Sequence, residues 1–310
     1  MKKKILIIGA TSYAGFSFSM FCKKIKSFST YLVYRRKSNV YYAKIIKKNF
    51  KKKQQIILKD YINSKEIIKK INKIKPEIII DFLSICDVNN SWKKPQTFFQ
   101  VNVYYKLDII KKIDSVKFIK KFIYISTPEI FGNTKIRTKE NNNNFSPSTP
   151  YAISKLATEL LLKSYFKHKK FPAIITRFSN FFGEHQQKYR LVPALIKSIK
   201  KNKYFYLDGK GDSLRNFIFT DDFCDAILRV IKKGKLGETY HFSGKQFKTI
   251  KEYISIAQKT LIHNKKIKIK HRKERIGKDK KYLLCTKYTN DKLGWSAKVN
   301  FNQAILKLYK

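Results

Sequence analysis

The stretch Phe122-Ile123-Tyr124-Ile125-Ser126-Thr127-Pro128-Glu129-Ile130-Phe131-Gly132 indicates which fold this chain adopts. It begins as an apolar run without a breaker, which predicts a buried strand. The run ends in the polar residues Ser126, Thr127 and Glu129. In an open parallel sheet, ligands bind just beyond the carboxyl ends of the strands. Polar residues also end strands for purely structural reasons, so the role of these side chains depends on the sequence to either side.

The N-terminal segment has the pattern of a dinucleotide-binding turn. Residues 4–9 form another apolar run, and residues 9–15 lead from it into a predicted helix that ends near Lys26. Such a turn lets backbone N–H groups face a pyrophosphate at the N-terminus of a helix. Ser12 occupies the position of the middle glycine in a G-x-x-G-x-x-G pattern. The predicted cofactor contacts in this turn are Gly9, Ser12, Tyr13, Ala14 and Gly15.

Strand-like apolar runs alternate with longer helix-like segments along the chain, which is typical of an α/β fold. Further strands are predicted at residues 31–34, 55–58, 77–82 and 173–177, and helices near residues 64–74, 95–113 and 150–168. We expect a Rossmann-type, doubly wound parallel sheet with a smaller C-terminal substrate-binding lobe. The predicted dinucleotide-binding domain comprises residues 1–178 and a returning segment near 216–236. The predicted lobe comprises residues 179–215 and 237–310.

The residues after the predicted second strand bear on the choice of cofactor. An Asp or Glu there would bind the ribose 2′-hydroxyl of NAD, whereas this chain has Arg35 and Arg36. Arginines suit a 2′-phosphate, so NADP is an alternative to NAD, although cations occur in every short stretch of this chain. Asp60 is predicted to read the adenine amino group. The other predicted cofactor contacts are Arg35, Tyr61, Leu83, Tyr151 and Lys155.

Tyr151 and Lys155 lie four residues apart at the start of a predicted helix, so their side chains share one helix face. An ammonium group beside a phenol lowers the pKa of the phenol and makes it a usable base. The spacing alone is uninformative, because four other Tyr/Lys pairs share it. Only Tyr151 opens a helix soon after the Ser-Thr strand end, and the helix-start signal Ser148-Thr149-Pro150 precedes it.

The composition argues against several classes of partner. The net charge is +48, from 69 Lys and Arg against 21 Asp and Glu. The lysines are spread along the chain, and the abundant residues Lys, Asn, Ile, Phe and Tyr all have A+T-rich codons. We therefore expect no specific nucleic-acid partner, because that would need a basic patch. Four scattered cysteines and five histidines show no metal spacing, and the cysteines indicate a reducing cytoplasm. The sequence contains no apolar run of about 18 residues, so we expect no membrane-spanning helix.

These motifs, in this order, resemble those of the extended short-chain dehydrogenase/reductase superfamily. Within it, the chain resembles the NAD-dependent epimerase/dehydratase family, with the closest likeness to the dTDP-glucose 4,6-dehydratases. The resemblance covers nearly the whole chain. Residues 126–132 are similar to the dehydratase stretch Ser-Thr-Asp-Glu-Val-Tyr-Gly, and Tyr151 and Lys155 match the Tyr-x-x-x-Lys pair. The other matching segments are residues 9–15, 179–183, 190–193, 209–215, 274–282 and 293–295.

The resemblance implies a role for each of these residues. The implied catalytic residues are Thr127, Glu129, Tyr151 and Lys155, and the implied substrate contacts are Thr127, Asn180, Arg190, Leu191 and Arg215. Tyr151 would take the proton of the sugar 4-hydroxyl, which Thr127 hydrogen-bonds. Glu129 would remove the neighbouring carbon-bound proton before water leaves from carbon 6. The resemblance also implies NAD, a nucleotide-diphosphate sugar substrate, and a homodimer.

The chain departs from this family at several positions. Pro128 replaces an aspartic acid that is thought to protonate the departing hydroxyl, and Phe181 replaces a second Asn. Arg35 stands where an Asp is usual, and His241 stands near a family Asn. GDP-mannose 4,6-dehydratases, by resemblance, also lack the aspartic acid, carry two arginines after the second strand and use NADP.

Two rival functions remain open at this point. A nucleotide-sugar 4-epimerase needs Tyr151 and Lys155 but not Glu129. A basic Rossmann protein that binds a partner without catalysis would be favoured by loss of Tyr151 or Lys155, and both are present.

Overall fold

The computed structural model describes residues 2–60, 64–263 and 266–310. The chain divides into two compact units. The first unit comprises Met1–Thr127, Thr149–Thr176 and Val230–Thr239, and the second comprises Pro128–Ser148, Arg177–Arg229 and Tyr240–Lys310. These bounds differ from those of the predicted functional domains, because residues 128–148 belong to the second unit. The assignment of one domain to the dinucleotide and another to the substrate stays a prediction.

The secondary structure alternates between strands and helices. The strands are β1 (Lys4–Ile8), β2 (Ser29–Arg35), β3 (Gln55–Leu58), β4 (Ile78–Asp81), β5 (Lys121–Ser126), β6 (Ala173–Phe178), β7 (Asn180–Phe182), β8 (Phe205–Asp208), β9 (Leu214–Phe219), β10 (Thr239–Phe242), β11 (Phe247–Thr249) and β12 (Ile269–Arg272). The helices are α1 (Tyr13–Ile25), α2 (Val40–Asn49), α3 (Lys65–Ile74), α4 (Val88–Lys93), α5 (Pro95–Phe99), α6 (Tyr105–Ile113), α7 (Pro150–Lys169), α8 (Leu191–Lys200), α9 (Thr220–Lys233), α10 (Ile250–Ile262), α11 (Lys287–Leu293) and α12 (Phe301–Tyr309). A π-helical turn, Gln100–Tyr104, joins α5 to α6, and 3₁₀ turns lie at Lys52–Gln54 and Pro128–Phe131.

Seven strands form one sheet in the order β10-β6-β5-β4-β1-β2-β3. β1 pairs in parallel with β2 and β4, and further parallel pairs join β2 to β3 and β4 to β5. The chain therefore adds β2 and β3 on one side of β1 and then returns to add β4 on the other side. This reversal is the doubly wound arrangement. The predicted Rossmann-type parallel sheet is confirmed.

The sequences of β1 and β4 explain their place in the middle of the sheet. Both are nearly continuous apolar runs, which are typical of parallel strands covered on both faces. Residues of both strands share one buried cluster with Ile67 of α3 and with Ile109 and Ile110 of α6. β4 nevertheless ends in a charged residue, Asp81, which is only 3% exposed.

The second unit has its own core. It contains a three-stranded sheet in the order β11-β9-β7 and a two-stranded sheet of β12 and β8. Phe182 of β7 and Phe301 of α12 lie in its apolar cluster, to which α8 and α10 also contribute. The segment just before α12 is hydrogen-bonded to α9. The Asp222 carboxylate accepts hydrogen bonds from the amides of Lys298 at 3.0 Å and Val299 at 2.9 Å.

Most elements lie where the sequence predicts them. The strand predicted at residues 55–58 coincides with β3, and the helix predicted at residues 150–168 is α7, which ends one residue later. Helix α2 has few buried residues, and the apolar pattern of the sequence does not predict it. Its signal was Asn39, whose side chain accepts hydrogen bonds from the amides of Tyr41 and Tyr42 as an N-cap. Among the residues that the structure describes, no helix combines the length and apolarity that a bilayer crossing requires.

Candidate active site

The candidate residues fall into two groups, one in each unit, and Tyr61 lies outside the described residues. The first group follows the carboxyl ends of β1, β2, β4 and β5 and includes the first turns of α1 and α7. The second group consists of Glu129 in the 3₁₀ turn Pro128–Phe131, residues of β7 and β9, and the start of α8 with Arg190 before it.

The turn after β1 has little space for side chains. Gly9 has φ +78°, and a Cβ there would lie 2.7 Å from the Leu83 nitrogen. A Cβ on Gly15 would lie 2.4 Å from the Gly9 carbonyl oxygen. Ser12, by contrast, has φ −75° and caps α1, because its Oγ accepts a hydrogen bond from the Gly15 amide at 3.0 Å. The serine therefore fits a position where a G-x-x-G-x-x-G turn has glycine.

This turn forms one wall of a pocket of about 220 Å³. The lining residues are Gly9, Thr11, Ser12, Arg35, Lys37, Ser38, Asn39, Leu83 and Ser84. Arg35 and Lys37 supply positive charge, and the first turn of α1 contains the predicted contacts Tyr13, Ala14 and Gly15. Backbone crowding at a glycine turn, a helix N-terminus and nearby cations fit the diphosphate of a dinucleotide. Asp60 is not among the lining residues, so its role stays a prediction.

The start of α7 places the Tyr151 and Lys155 side chains. Thr149 caps this helix through a hydrogen bond from the Ala152 amide to its Oγ1 at 3.1 Å. Tyr151 is 8% exposed and lies edge-on to Phe98, with 6.4 Å between ring centroids. The α7 backbone thus fixes Tyr151 at the helix start, with its ring packed in the first unit.

Lys155 points its ammonium group at the carboxyl end of β5. Its Nζ donates a hydrogen bond to the Ile125 carbonyl at 2.6 Å and lies 4.2 Å from the centroid of the Tyr124 ring. Burial lowers the pKa of Lys155 to about 7, and the positive charge of Lys106 adds to the effect. Lys155 therefore changes its charge near neutral pH.

Two hydroxyls end β5, as the sequence predicted. Thr127 directly follows the strand and is 6% exposed. The Oγ of its neighbour Ser126 is buried and has no hydrogen-bond partner within the described part of the chain. A buried hydroxyl without a partner is rare in proteins and marks a place where a ligand or water is expected.

In the second unit, a buried arginine anchors the turn that carries Glu129. The Arg177 guanidinium lies 4.8 Å from the centroid of the Phe131 ring, and its Nη1 lies 3.1 Å from His241 Nε2. Burial and the charge of Arg177 hold the pKa of His241 well below its usual value, so the imidazole is neutral. Gly132 ends the turn with φ +60°, and a Cβ there would lie 2.1 Å from the Ser146 carbonyl oxygen. Glu129 thus lies in a turn whose backbone has little conformational freedom.

The environment of Glu129 suits proton transfer. Burial raises the pKa of its carboxyl group to about 7, and Asp279 adds to this effect. The positive charges of Arg215, Arg275 and Arg190 oppose it. A carboxyl group that titrates near neutral pH can both accept and donate a proton.

Asn180 and Arg215 are brought together through Tyr282. Asn180 Nδ2 donates a hydrogen bond to the Tyr282 hydroxyl at 3.1 Å, and the Arg215 guanidinium lies 4.5 Å from the Tyr282 ring centroid. Arg215 is held in place by donating to the carbonyls of Asp279 and Leu214, each at 2.8 Å.

The two other predicted substrate contacts begin a helix. Leu191 is the first residue of α8, and Arg190 is the residue before it. The Arg190 guanidinium lies 5.4 Å from the centroid of the Tyr189 ring.

Sequence reasoning missed the role of three residues in this unit. Arg177 is fully buried, whereas the sequence predicts it only as the end of a strand. Asp279 and Tyr282 lie in the matching segment 274–282, which by itself indicates no role for either. The one available signal was the positive charge of Arg177 at the end of an otherwise apolar run.

Comparison with known proteins supports the resemblance. The family model described as GDP-mannose 4,6 dehydratase matches residues 6–308. The chain belongs to the GDP-mannose 4,6 dehydratase family. It is also 28% identical over 316 residues to the dTDP-D-glucose 4,6-dehydratase of Homo sapiens, a match that covers 98% of this chain and 88% of the human protein.

Solved structures share the fold of this family member. The dTDP-glucose 4,6-dehydratase of Bacillus anthracis str. Ames, in complex with NAD, has a TM-score of 0.85 at 23% identity and covers 98% of this chain and 94% of its own. The UDP-glucuronic acid 4-epimerase of Bacillus cereus, in complex with UDP-glucuronic acid and NAD, has a TM-score of 0.87 at 22% identity, with coverages of 99% and 98%. Dehydratases and epimerases thus share this fold, and the fold alone does not choose between them.

Proposed function

We propose that this chain is an NAD-dependent nucleotide-sugar 4,6-dehydratase, which forms a 4-keto-6-deoxy sugar. Its relative from Homo sapiens carries the name of such an enzyme. The observation that carries the proposal is the environment of Glu129, where burial raises the pKa of the carboxyl group to about 7. Elimination of water needs an acid–base group besides the one that acts on the 4-hydroxyl, whereas epimerisation at carbon 4 does not.

The pocket in the first unit would hold the dinucleotide. Gly9 and Ser12 would lie against its diphosphate, and Leu83 would form a neighbouring part of the pocket wall. When bound, NAD supplies the redox chemistry by taking a hydride from carbon 4 of the sugar and returning it to carbon 6. Arg35 and Arg36 leave NADP as the alternative cofactor, because arginines suit a 2′-phosphate.

Tyr151 would be the base for the sugar 4-hydroxyl. The positive charge of Lys155 favours loss of the phenolic proton, so the Tyr151 oxygen can accept the hydroxyl proton. Thr127 would hydrogen-bond the same sugar oxygen and hold it in place. These three residues would act on the oxygen at carbon 4, which becomes the ketone that the product keeps.

Glu129 would perform the elimination. Once carbon 4 is a ketone, the neighbouring C–H at carbon 5 is acidic, and the Glu129 carboxylate removes that proton. The electron pair forms a carbon–carbon double bond as the carbon 6 hydroxyl leaves with a proton from the same carboxyl group, as water. When carbon 6 receives the hydride, carbon 5 takes a proton that Glu129 has drawn from solvent. Pro128 cannot donate a proton, so a single residue acts first as base and then as acid.

The remaining candidate residues would bind the substrate. Arg190 and Arg215 suit the diphosphate of a nucleotide sugar, because a guanidinium group binds such oxygens through two parallel hydrogen bonds. Asn180 would donate hydrogen bonds to the sugar, and Leu191 would supply an apolar contact. The net charge of +48 attracts an anionic substrate of this kind over longer distances.

The second candidate is a nucleotide-sugar 4-epimerase. The Bacillus cereus epimerase shares the fold, and an epimerase would require Tyr151, Lys155 and Thr127 without Glu129. The candidate from another class, a basic Rossmann binding protein without catalysis, would show steeply salt-dependent binding to DNA and no turnover. A cytoplasmic location and a homodimer also remain proposals, and light scattering of the purified protein tests the dimer.

Product analysis separates these candidates. The purified protein is incubated with dTDP-, GDP- and UDP-linked hexoses, and the products are analysed by mass spectrometry. The proposal predicts loss of one water from one of these substrates. A product of unchanged mass with an inverted 4-hydroxyl would support the epimerase, and no product from any substrate would contradict both enzymes.

A further inference from the structure

A buried ion pair lies at the carboxyl end of β4. This strand lies between β1, which leads into the glycine turn, and β5, which leads to Thr127. Asp81 pairs in register with Ile8 on β1 and with Tyr124 on β5. Its carboxylate forms a salt bridge with the Lys106 ammonium group on α6. The two side chains are only 3% and 2% exposed.

Both ends of this pair also bind the backbone of one residue. Asp81 Oδ1 accepts a hydrogen bond from the Leu83 amide at 3.0 Å. Lys106 Nζ donates to the Leu83 carbonyl at 2.5 Å. The pair therefore occupies both polar backbone groups of Leu83 and fixes its position.

Leu83 is the residue against which the glycine turn packs. Its nitrogen and Cα lie 2.7 Å and 2.8 Å from the place where a Cβ of Gly9 would be. Leu83 and Ser84 also line the pocket. A shift of the Leu83 backbone would change the width of the pocket.

The same ammonium group approaches the catalytic lysine. Lys106 Nζ lies 5.4 Å from the centroid of the Tyr124 ring, and Lys155 Nζ lies 4.2 Å from the same centroid. Two cations thus share one aromatic ring inside the first unit. The charge of Lys106 lowers the pKa of Lys155, and the charge of Asp81 partly offsets it. The other groups that act on Lys155 are Glu159 and Cys86.

Stability alone does not account for this pair. Transfer of two charges into a protein interior carries a large desolvation cost, and well-packed apolar residues often replace such a pair without loss of stability. A position at the pocket wall gives the pair a function that apolar residues cannot supply, since both backbone groups of Leu83 need polar partners.

We propose that Asp81 and Lys106 are positioning residues of the dinucleotide site, which hold the Leu83 backbone as the wall of the pocket and place a second ammonium group near Lys155. This inference rests on the proposed function, because it assumes that a nicotinamide dinucleotide binds in this pocket.

The test compares two double variants with the same substitution types, in which both lysines lie on α6. Asp81→Asn with Lys106→Met removes the buried pair, and Asp108→Asn with Lys112→Met removes the exposed pair of α6. The dissociation constants of NAD and NADP are measured by calorimetric titration from pH 6 to pH 9. The first variant should bind the preferred dinucleotide about tenfold to a hundredfold more weakly. Losses of this size are typical when residues that orient the directly contacting groups are removed. The second should bind it as the wild type does.

The pH dependence gives a reading that a purely structural role would not change. In the wild type, binding should weaken as the pH rises through about 7, where Lys155 loses its charge. In the single variant Lys106→Met, this weakening should move to higher pH, because the repelling charge is gone while Asp81 remains.

Each outcome decides the inference. Wild-type binding by the buried-pair variant at every pH would overturn it while leaving the proposed function intact. Absence of dinucleotide binding by the wild type would overturn both. If the double variant fails to fold, the near-isosteric Asp81→Asn variant replaces it, and unchanged affinity and pH dependence in that variant would overturn the inference.

Discussion

We expect that replacing Glu129 by glutamine changes the free energy of unfolding by an amount that depends on pH. The pKa of the Glu129 carboxyl group is about 7 in the folded chain, against a usual value of 4.5. The folded state therefore binds this proton more tightly than the unfolded chain does. The resulting contribution to stability is fully present below pH 4.5 and is lost as the pH rises through 7.

The size of the effect follows from these two values. A pKa difference of 2.5 at about 1.4 kcal/mol per tenfold change in proton affinity gives an upper limit of about 3 kcal/mol. Glu129→Gln keeps the size of the side chain and has no carboxyl proton to lose. We expect the variant and the wild type to be similarly stable at pH 4.5, and the variant to be more stable by up to about 3 kcal/mol at pH 9.

Urea unfolding followed by circular dichroism measures this difference at a series of pH values. The comparison between the two proteins cancels the pH dependence that the rest of the chain contributes. Glu184→Gln, at an exposed glutamate, serves as the matched control. A stability difference between Glu129→Gln and wild type that stays constant from pH 4.5 to pH 9 would refute the assigned environment of Glu129.

Three further predictions concern the two units. Tyr151→Phe should abolish turnover while dinucleotide affinity, measured by titration, stays within about tenfold of wild type; full activity would show that Tyr151 is not the base. Arg35→Asp should lower the affinity for NADP relative to NAD by about tenfold or more, because a hydrogen bond to a charged group contributes about 1.5–3 kcal/mol; an unchanged ratio in competition titrations would show that Arg35 does not read the 2′ position. Gly132→Ala should destabilise the chain by about 1–2 kcal/mol or more in urea unfolding, since its φ is +60° and the Ser146 carbonyl oxygen leaves no room for a Cβ; wild-type stability would contradict this geometry.

The parts of the fold that depend on local sequence could be predicted. Apolar runs gave β1 and β3, and the signal Ser148-Thr149-Pro150 gave the start of α7, where Thr149 is the N-cap. The order of motifs along the chain also gave the family, because each motif has its own sequence pattern. These features need no knowledge of which distant residues meet.

The anchoring of the candidate site could not be predicted, because it depends on contacts between distant segments. Ser148 donates a hydrogen bond to Asp279 at 2.5 Å across 131 positions of sequence. Arg177 meets His241 across 64 positions. No local pattern marks such partners, and a single sequence offers no covariation that would reveal them.

Asp222 shows the same limit at the start of a helix. An acidic residue in the first turn of a helix is expected from the helix dipole alone, and Asp222 does lie in the first turn of α9. Its carboxylate, however, accepts hydrogen bonds from the amides of Lys298 and Val299, more than 70 residues later. The helix dipole accounts for an acidic residue at this position but not for its contact with the distant segment.

The central claim is that Glu129 makes this chain a dehydratase. The most direct measurement is mass spectrometry of the product formed in D₂O from the accepted nucleotide sugar. Removal of the carbon 5 proton by Glu129 lets a solvent deuteron replace it, so the account predicts a product that has lost one water and gained one carbon-bound deuterium. A product of unchanged mass, with no deuterium at carbon 5, would contradict the account.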